Sequence, residues 1–261
     1  MLDITVGVPC YNSADTLPVV LDALAKQTHG PSEIICADDG SDDGTPEIVK
    51  DYPEVRLIQH EENKGLGSAR NTILDHSDTP LLGMVDDDIV PDKEWLETLI
   101  DTIQREDAAI VSARIEESIA CRADRWRKER MQANPYDDGG TVPQVAGGNF
   151  LVRVGSVQKV GRWPDDGWNS EDMALCKKLR EDGQTIYYEP TVSVTHLEED
   201  TATSVLRRLW RWHLNSPDDV SSPRDFFKKG ALPLNQRLRL YCRRHHQRSL
   251  VGNSNYTPSP N

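Results

Sequence analysis

The chain has 261 residues, enough to bury the core of one α/β domain and an extension, and no run of about eighteen apolar residues indicates a transmembrane helix. Its net charge of −13 is unevenly distributed, because residues 201–261 carry a formal +8 and residues 1–200 carry −21. Residues 1–20 lack the features of a signal peptide, and the five cysteines form no C-x-x-C pair, so we expect a cytoplasmic protein without a disulfide framework or zinc site.

Strands and helices alternate through the first half of the chain. Strands are predicted at residues 4–8, 33–37, 55–59, 81–85 and 108–113. Helices are predicted between them, at residues 45–50, 67–74, 95–104 and over the apolar positions from Leu17 to Leu24, with Ser13 as the N-cap of this first helix. This alternation predicts an α/β fold with a doubly wound, mostly parallel sheet, whose ligands bind beyond the carboxyl ends of the strands.

The second half is less regular. We predict helices at residues 122–132, 170–180 and 203–214, the second capped by Asn169 or Ser170, and strands at residues 149–152 and 184–189. The predicted domains are a catalytic domain over residues 1–200, divided into halves at residues 113 and 114, a basic helical extension over residues 201–248, and a disordered tail over residues 249–261.

Three adjacent carboxylates, Asp86, Asp87 and Asp88, follow the predicted strand at residues 81–85. Adjacent anions repel one another, and a divalent cation offsets that repulsion most simply. Oxygen donors without a nearby cysteine favour Mg²⁺ or Mn²⁺ over zinc. The alternative is an acidic turn in an acidic protein.

Several short motifs occur in a fixed order along the chain. They are Val8-Pro9-Cys10-Tyr11-Asn12, Gln27-Thr28, Glu33 to Thr45, Asn63 to Asn71, Asp86-x-Asp88, Gly147-Gly148-Asn149-Phe150 and Glu171-Asp172. Together they resemble the inverting, GT-A-fold glycosyltransferases of family 2, from residue 3 to about residue 200. The resemblance implies a Rossmann-like half that binds a UDP- or GDP-sugar and a second half that binds the acceptor.

The resemblance also implies roles for individual residues in the donor site. Tyr11 could stack on the base, Asp39 could accept from a base N–H, and Arg70 could contact the base or a phosphate. The donor-binding set predicted in this way is Pro9, Tyr11, Asn12, Asp38, Asp39, Arg70, Asp86 and Asp87. Without the motif, Tyr11 could equally pack in the core, and the acids around Gly40 could serve the turn there.

Metal binding is implied for Asp86, Asp88 and His196. The first two match the metal motif of the family, and His196 follows a predicted strand where family members often supply one more ligand. A lone histidine at such a position is as often a core or surface residue.

Glu171 and Asp172 begin a predicted helix, where acids also stabilise the helix dipole. The resemblance makes this pair catalytic and Asp172 the general base, because an acceptor hydroxyl must lose its proton as it attacks in a single in-line displacement. A base is dispensable for a phosphate acceptor, so the pair favours a hydroxyl on a lipid-linked or cell-surface glycan. Gly147-Gly148-Asn149, Trp163 and Trp168 would shape the acceptor site, or pack in the core.

The basic extension combines arginines with Trp210 and Trp212, a composition typical of a helix on an anionic membrane. We therefore expect peripheral contact with the inner membrane face through residues 201–248, with docking on the acidic catalytic domain as the alternative. No recognition motif favours nucleic acid.

The excess of Asp, together with twice as many Arg as Lys, resembles proteins of salt-loving archaea, and we expect a haloarchaeal origin. Two other functions remain open. A metal-dependent phosphohydrolase is suggested by Asp38-Asp39-Gly40-Ser41 but leaves Arg70 and Asp172 unexplained. A non-catalytic relative that binds the donor would be expected to have lost Asp88 or Asp172, and both are present.

Overall fold

The computed structural model describes residues 2–117, 138–145, 147–165 and 171–197. Every described residue belongs to one compact unit, Met1–Val205. The predicted helices at 122–132 and 203–214, Trp168, the proposed caps at 169 and 170, and the extension and tail lie outside the described residues.

The first half of the described chain alternates strands and helices as predicted. Its elements are β1 (Ile4–Cys10), α1 (Leu17–Ala25), β2 (Glu33–Asp38), α2 (Thr45–Lys50), β3 (Val55–Gln59), α3 (Leu66–His76) and β4 (Leu81–Val85). Strands β3, β2, β1 and β4 lie side by side and are all parallel. Their carboxyl ends therefore meet at one edge of the sheet.

The second half adds shorter and mixed elements. They are β5 (Ile89–Pro91), α4 (Trp95–Arg105), β6 (Ile110–Glu117), β7 (Gly140–Thr141), β8 (Asn149–Arg153), α5 (Val154–Lys159), α6 (Glu171–Glu181) and β9 (Ile186–His196). The sheet continues from β4 through β8, β6 and β9 to β5, and β7 also pairs with β9. Strand β8 is antiparallel to both β4 and β6, whereas β6 and β9 are parallel.

Helices cover both faces of this sheet. Buried side chains of α1 and α4, such as Leu21 and Leu99, share one apolar cluster with alternate residues of β1. Side chains of α3 and α6, such as Ile73 and Leu179, form a second cluster with residues of β2, β4 and β8. Burial of every residue of β1 follows from its position between two parallel neighbours and two helical layers.

Two local predictions were wrong. Ser13 is not the N-cap of α1, because the helix begins at Leu17, and the Ser13 carbonyl oxygen instead accepts the N–H groups of Thr16 and Leu17 at 3.1 and 2.9 Å. Strand β9 continues past the predicted end at residue 189, because its pairing with β6 resumes after a bulge: Ala113 pairs with Glu189 and Arg114 with Ser193, so residues 190–192 are skipped. No helix within the described ranges is long and apolar enough to span a membrane.

Candidate active site

The loops that follow β1, β2 and β4 lie together, because these three strands are parallel neighbours. The Asp39 N–H donates to the Cys10 carbonyl oxygen at 2.9 Å, which joins the ends of β1 and β2. The Tyr11 N–H donates to Asp87 Oδ2 at 3.1 Å, which joins the end of β1 to the triple-aspartate loop. The acids predicted to share one site are thus brought to one edge of the sheet.

The loop after Pro9 fixes its main chain and exposes an aromatic ring. Asn12 has a positive φ of 53°, and its N–H donates to Ser41 Oγ at 2.9 Å. Asn12 Oδ1 accepts the Asp42 N–H at 2.9 Å. The Tyr11 side chain is 48% exposed, so its ring is held at the sheet edge and open to a ligand.

Asp38 and Asp39 are both buried and organise neighbouring loops. Asp39 accepts the N–H groups of Lys64 and Gly65 at 2.9 and 2.8 Å and contacts His60 Nδ1 at 2.7 Å. Asp38 accepts both the hydroxyl and the N–H of Ser41. Asp38 therefore fixes the loop after β2, and Asp39 fixes the loop between β3 and α3.

His60 is a site residue that the sequence reasoning missed. It follows β3 directly, and its N–H donates to the Asp38 carbonyl oxygen at 2.8 Å. Its second ring nitrogen lies 2.8 Å from Thr72 Oγ1 on α3. Its position in the sequence could have indicated this role, because it directly follows a predicted parallel strand, as the other polar clusters do.

Arg70 lies on α3 with no solvent exposure, although its predicted role was a donor contact. Its Nη2 donates to Asp86 Oδ1 at 3.0 Å, and its Nη1 donates to Glu171 Oε1 at 2.5 Å. Burial disfavours the charged guanidinium, but Asp86, Glu171 and Asp172 outweigh that effect and raise the pKa of Arg70. Arg70 is therefore a permanent cation among acids.

Glu171 and Asp172 begin α6 and face different surroundings. Glu171 is buried, and burial raises the pKa of its carboxyl although Arg70 opposes the shift. Asp172 is partly exposed, and its Oδ1 accepts the Met173 N–H at 2.7 Å. A Cβ on Gly147 would lie 2.9 Å from Asp172 Oδ2, so this carboxylate approaches the Gly147 main chain closely. Of the two acids, Asp172 is the one with access to a substrate.

The three aspartates after β4 point to different partners. Asp86 faces Arg70, Asp87 faces the Tyr11 loop, and Asp88 Oδ2 lies 3.3 Å from His196 Nε2. The pKa of Asp87 is raised to about 7, mainly by burial and to a lesser extent by the negative charges of Asp88 and Asp86. The segment at 86–88 thus serves three separate contacts.

The predicted metal ligands are only partly assembled. In the described part of the chain, no group of three His, Cys, Asp or Glu side chains is arranged to hold an ion. Asp88 and His196 nevertheless fit as two ligands, because adjacent ligands of an octahedral ion with bonds of about 2.1 Å lie about 3 Å apart. Asp86 Oδ1 is instead bonded to Arg70.

Residues predicted to shape the acceptor site divide between the site and the core. Gly148 has a φ of +87°, and its carbonyl oxygen accepts the Asp86 N–H at 2.8 Å, so the Gly147-Gly148 turn borders the site. Asn149 is buried and bonded to Trp95 Nε1 at 2.8 Å. Of the two roles left open for Trp163, the structure shows core packing, because the residue is 2% exposed and its ring stacks on Phe150 with centroids 6.1 Å apart.

Solved structures with the same architecture include two complexes with nucleotide sugars. The mannosyltransferase PcManGT from Pyrobaculum calidifontis, in complex with GDP-Man and Mn²⁺, matches with a TM-score of 0.64 and 21% identity over 85% of this chain and 66% of that one. S. aureus TarS 1-349, in complex with UDP-GlcNAc, matches with a TM-score of 0.62 and 20% identity over 86% of this chain and 69% of that one. These likenesses confirm the predicted GT-A fold.

Sequence comparison agrees with the fold. Glycosyltransferase AglE of Haloferax volcanii is 27% identical over 203 residues, which are 74% of this chain and 66% of AglE. The chain thus spans just under two thirds of that relative's length. The glycosyl transferase family 2 profile matches residues 5–161, which include the strand-end loops and every aspartate of the triple-aspartate segment. Because that match covers more than half of the sequence, the chain belongs to glycosyl transferase family 2.

Proposed function

We propose that this protein is a metal-dependent, inverting glycosyltransferase that moves a sugar from a UDP- or GDP-sugar to an acceptor hydroxyl. The observation that carries the proposal is the common edge at which an exposed Tyr11 ring, the Asp88–His196 pair and the accessible Asp172 carboxylate meet. An aromatic platform, a cation site and a base are the three parts that this reaction requires.

Donor binding is assigned to the loops after β1 and β2. The Tyr11 ring would stack on the base, and the loops beside it are already fixed through Asn12, Asp38 and Asp39. TarS with UDP-GlcNAc and PcManGT with GDP-Man support either nucleotide in a fold of this kind.

A divalent cation, Mn²⁺ or Mg²⁺, would be held by Asp88 and His196, with the donor diphosphate among its remaining ligands. When bound, it would neutralise the charge that develops on the diphosphate as the glycosidic bond breaks. The Mn²⁺ in the PcManGT complex supports this choice.

Asp172 would take the proton of the attacking hydroxyl. Its partial exposure and its place beside Gly147 suit a base that meets the acceptor. Glu171 is tied to Arg70, so one accessible carboxylate remains in the pair. That arrangement suits a single displacement with inversion, which needs no carboxylate nucleophile.

The acceptor we propose is a lipid-linked or cell-surface glycan, as in the assembly of N-linked or S-layer glycans, reached at the inner face of the membrane through residues 201–248. The basic composition of that extension supports contact with an anionic membrane. The excess of Asp and the similarity to AglE of Haloferax volcanii support function at high salt.

A thermal-shift screen of UDP-GlcNAc, UDP-glucose and GDP-mannose with Mn²⁺ or excess chelator tests the donor and the metal together. A donor at a hundredfold excess over its Kd stabilises the native state by about 2.7 kcal/mol. For a domain of this size that shift is about 5–10 °C in Tm, and we expect it only with the cation present. Equal shifts in chelator would contradict metal dependence, and no shift with any nucleotide sugar would contradict the proposed donor class.

A further inference from the structure

Arg70 is the most completely enclosed charged side chain in the described structure. It has no solvent exposure, and its central guanidinium carbon lies 5.5 Å from the centroid of the Phe150 ring. Nη1 bonds to Glu171 and Nη2 bonds to Asp86, so each terminal nitrogen already has an acidic partner. Arg70 has further N–H groups, including a buried Nε–H without a hydrogen-bond partner among the described residues, but a donor phosphate could reach them only if the residues around the guanidinium moved.

The two partners of Arg70 belong to different parts of the site. Asp86 follows β4 and starts the triple-aspartate segment, and Glu171 is the first residue of α6 and precedes the proposed base. The guanidinium on α3 thus joins the segment that carries the proposed metal ligand Asp88 to the helix that carries Asp172. A bidentate arginine suits such a link because its planar fork fixes both carboxylates in direction.

The Gly147-Gly148 turn closes this arrangement from a third side. A Cβ on Gly147 would lie 3.2 Å from Arg70 Nη2 as well as 2.9 Å from Asp172 Oδ2. A Cβ on Gly148 would lie only 2.2 Å from Asp86 Oδ2. One oxygen of Asp86 is therefore bonded to Arg70, while the other lies against the turn.

We infer that Arg70 is a positioning residue, not a donor ligand: its buried bridge from Asp86 to Glu171 sets the position of the base relative to the metal-binding segment. The inference rests on the proposed function for the roles of Asp172 and Asp88, but the bridge itself does not. It assigns Asp86 as the counter-charge of Arg70 and leaves Asp88 with His196 as the cation ligands. It assigns Glu171 as the anchor of α6, not as a proton acceptor.

The variants Glu171→Gln and Arg70→Lys distinguish two roles for Arg70: positioning the base, or binding the donor. The Gln variant keeps the shape and an acceptor oxygen for Arg70, and the Lys variant keeps the charge but reaches one acid at a time. A bridge that positions the base predicts that both variants lower kcat by about tenfold to a hundredfold, because small misplacements of reacting groups are costly. The Kd for UDP or GDP in the presence of Mn²⁺, measured by calorimetry, should change by less than about threefold in both variants, since neither Arg70 nor Glu171 contacts the nucleotide in this arrangement.

Arg153→Lys is the matched control, because Arg153 is also partly buried and bonds to the carbonyl oxygens of Ala108 and Ile103 away from the site. Its kcat should equal that of the wild type. If Arg70→Lys weakens UDP and GDP binding tenfold or more while Glu171→Gln leaves binding unchanged, Arg70 is a donor ligand and the inference is wrong.

A double-mutant cycle on unfolding in urea tests the bridge without any substrate. Combining Arg70→Lys with Glu171→Gln should destabilise the protein less than the sum of the single effects, because each substitution weakens the same ion pair. Additive effects would overturn the bridge even in an active enzyme. A clear coupling energy in a protein that transfers no sugar would instead overturn the proposed function and leave the bridge standing.

Discussion

Replacing Gly148 with alanine probes the contact between the Gly147-Gly148 turn and Asp86. The φ of +87° at Gly148 disfavours any residue with a Cβ, at a cost of about 1–2 kcal/mol. The new Cβ would also lie 2.2 Å from Asp86 Oδ2, so the carboxylate would have to move away from Arg70. Loss of that charged hydrogen bond costs about 1.5–3 kcal/mol more.

Gly161 provides a matched control for this substitution. Its φ is +85°, nearly the same as that of Gly148, but a Cβ there would meet no atom within 4 Å. Gly161→Ala therefore carries the backbone strain without the clash, and the difference between the two variants measures the displacement of Asp86 together with the closer fit against Ile89 Cδ1, which would lie 2.9 Å from the new Cβ. We expect Gly148→Ala to be less stable than Gly161→Ala by about 1.5–3 kcal/mol.

Urea unfolding followed by circular dichroism measures this difference directly, and thermal unfolding should show it as about 3–12 °C in Tm. Equal losses of stability in the two variants would refute the reasoning, because they would mean that Asp86 is not held between Arg70 and the turn. A Gly148→Ala variant that is destabilised yet keeps full turnover would show that the position of Asp86 is irrelevant to catalysis.

Asp88→Ala should abolish Mn²⁺ binding measured by electron paramagnetic resonance while the thermal transition is retained; unchanged Mn²⁺ affinity would contradict the assigned ligand. Asp172→Asn keeps the shape of the base but cannot take a proton, so kcat should fall by about 10²–10⁴ with unchanged UDP or GDP binding, and near-normal turnover would remove Asp172 from the mechanism. The pKa of Asp87 is raised to about 7 in the folded state, so its ionisation destabilises the metal-free protein above pH 7 and the penalty disappears as the pH falls towards about 4. In chelator, Asp87→Asn should therefore be more stable than the wild type at pH 8, with a smaller advantage at pH 5, and a pH-independent difference would contradict the shift. If the basic extension binds membranes, wild-type protein should float with anionic liposomes and a Trp210→Ala/Trp212→Ala variant should not; recovery of both in the soluble fraction at every salt concentration would contradict membrane contact.

The parallel half of the fold was predictable because most of its strands are short apolar runs bounded by turn residues. Burial on both faces demands continuous apolar runs, and Leu81–Val85 is such a run. The mixed half of the sheet, beyond β4, was less predictable, because its strands depend on pairing between residues far apart in the sequence. The three residues of β5 carry too little pattern to indicate a strand, and they are ordered by pairing with the end of β9.

The site residues that directly follow a strand were predictable, because the carboxyl ends of parallel strands lie at one edge of the sheet. Asp86, Asp87 and Asp88 were expected together, but the sequence could not tell which partner each would face. That depends on Arg70, which lies 101 positions before its partner Glu171. Two roles stayed open for Trp163 because an aromatic ring near a glycine-rich loop suits both a sugar platform and a core, and only its stacking on Phe150 decides between them.

The enclosed carboxylate of Asp39 has a consequence for changing donor preference by design. His60, Lys64 and Gly65, all in the loop between β3 and α3, bond to it, so its replacement would release that whole loop and should weaken binding of every nucleotide at the proposed donor site alike. The Tyr11 ring, by contrast, projects from a main chain fixed by other residues. Variants selected for a new donor should therefore carry substitutions at Tyr11 and retain Asp39, because Asp39 holds the loop in place whereas the Tyr11 ring would contact the base.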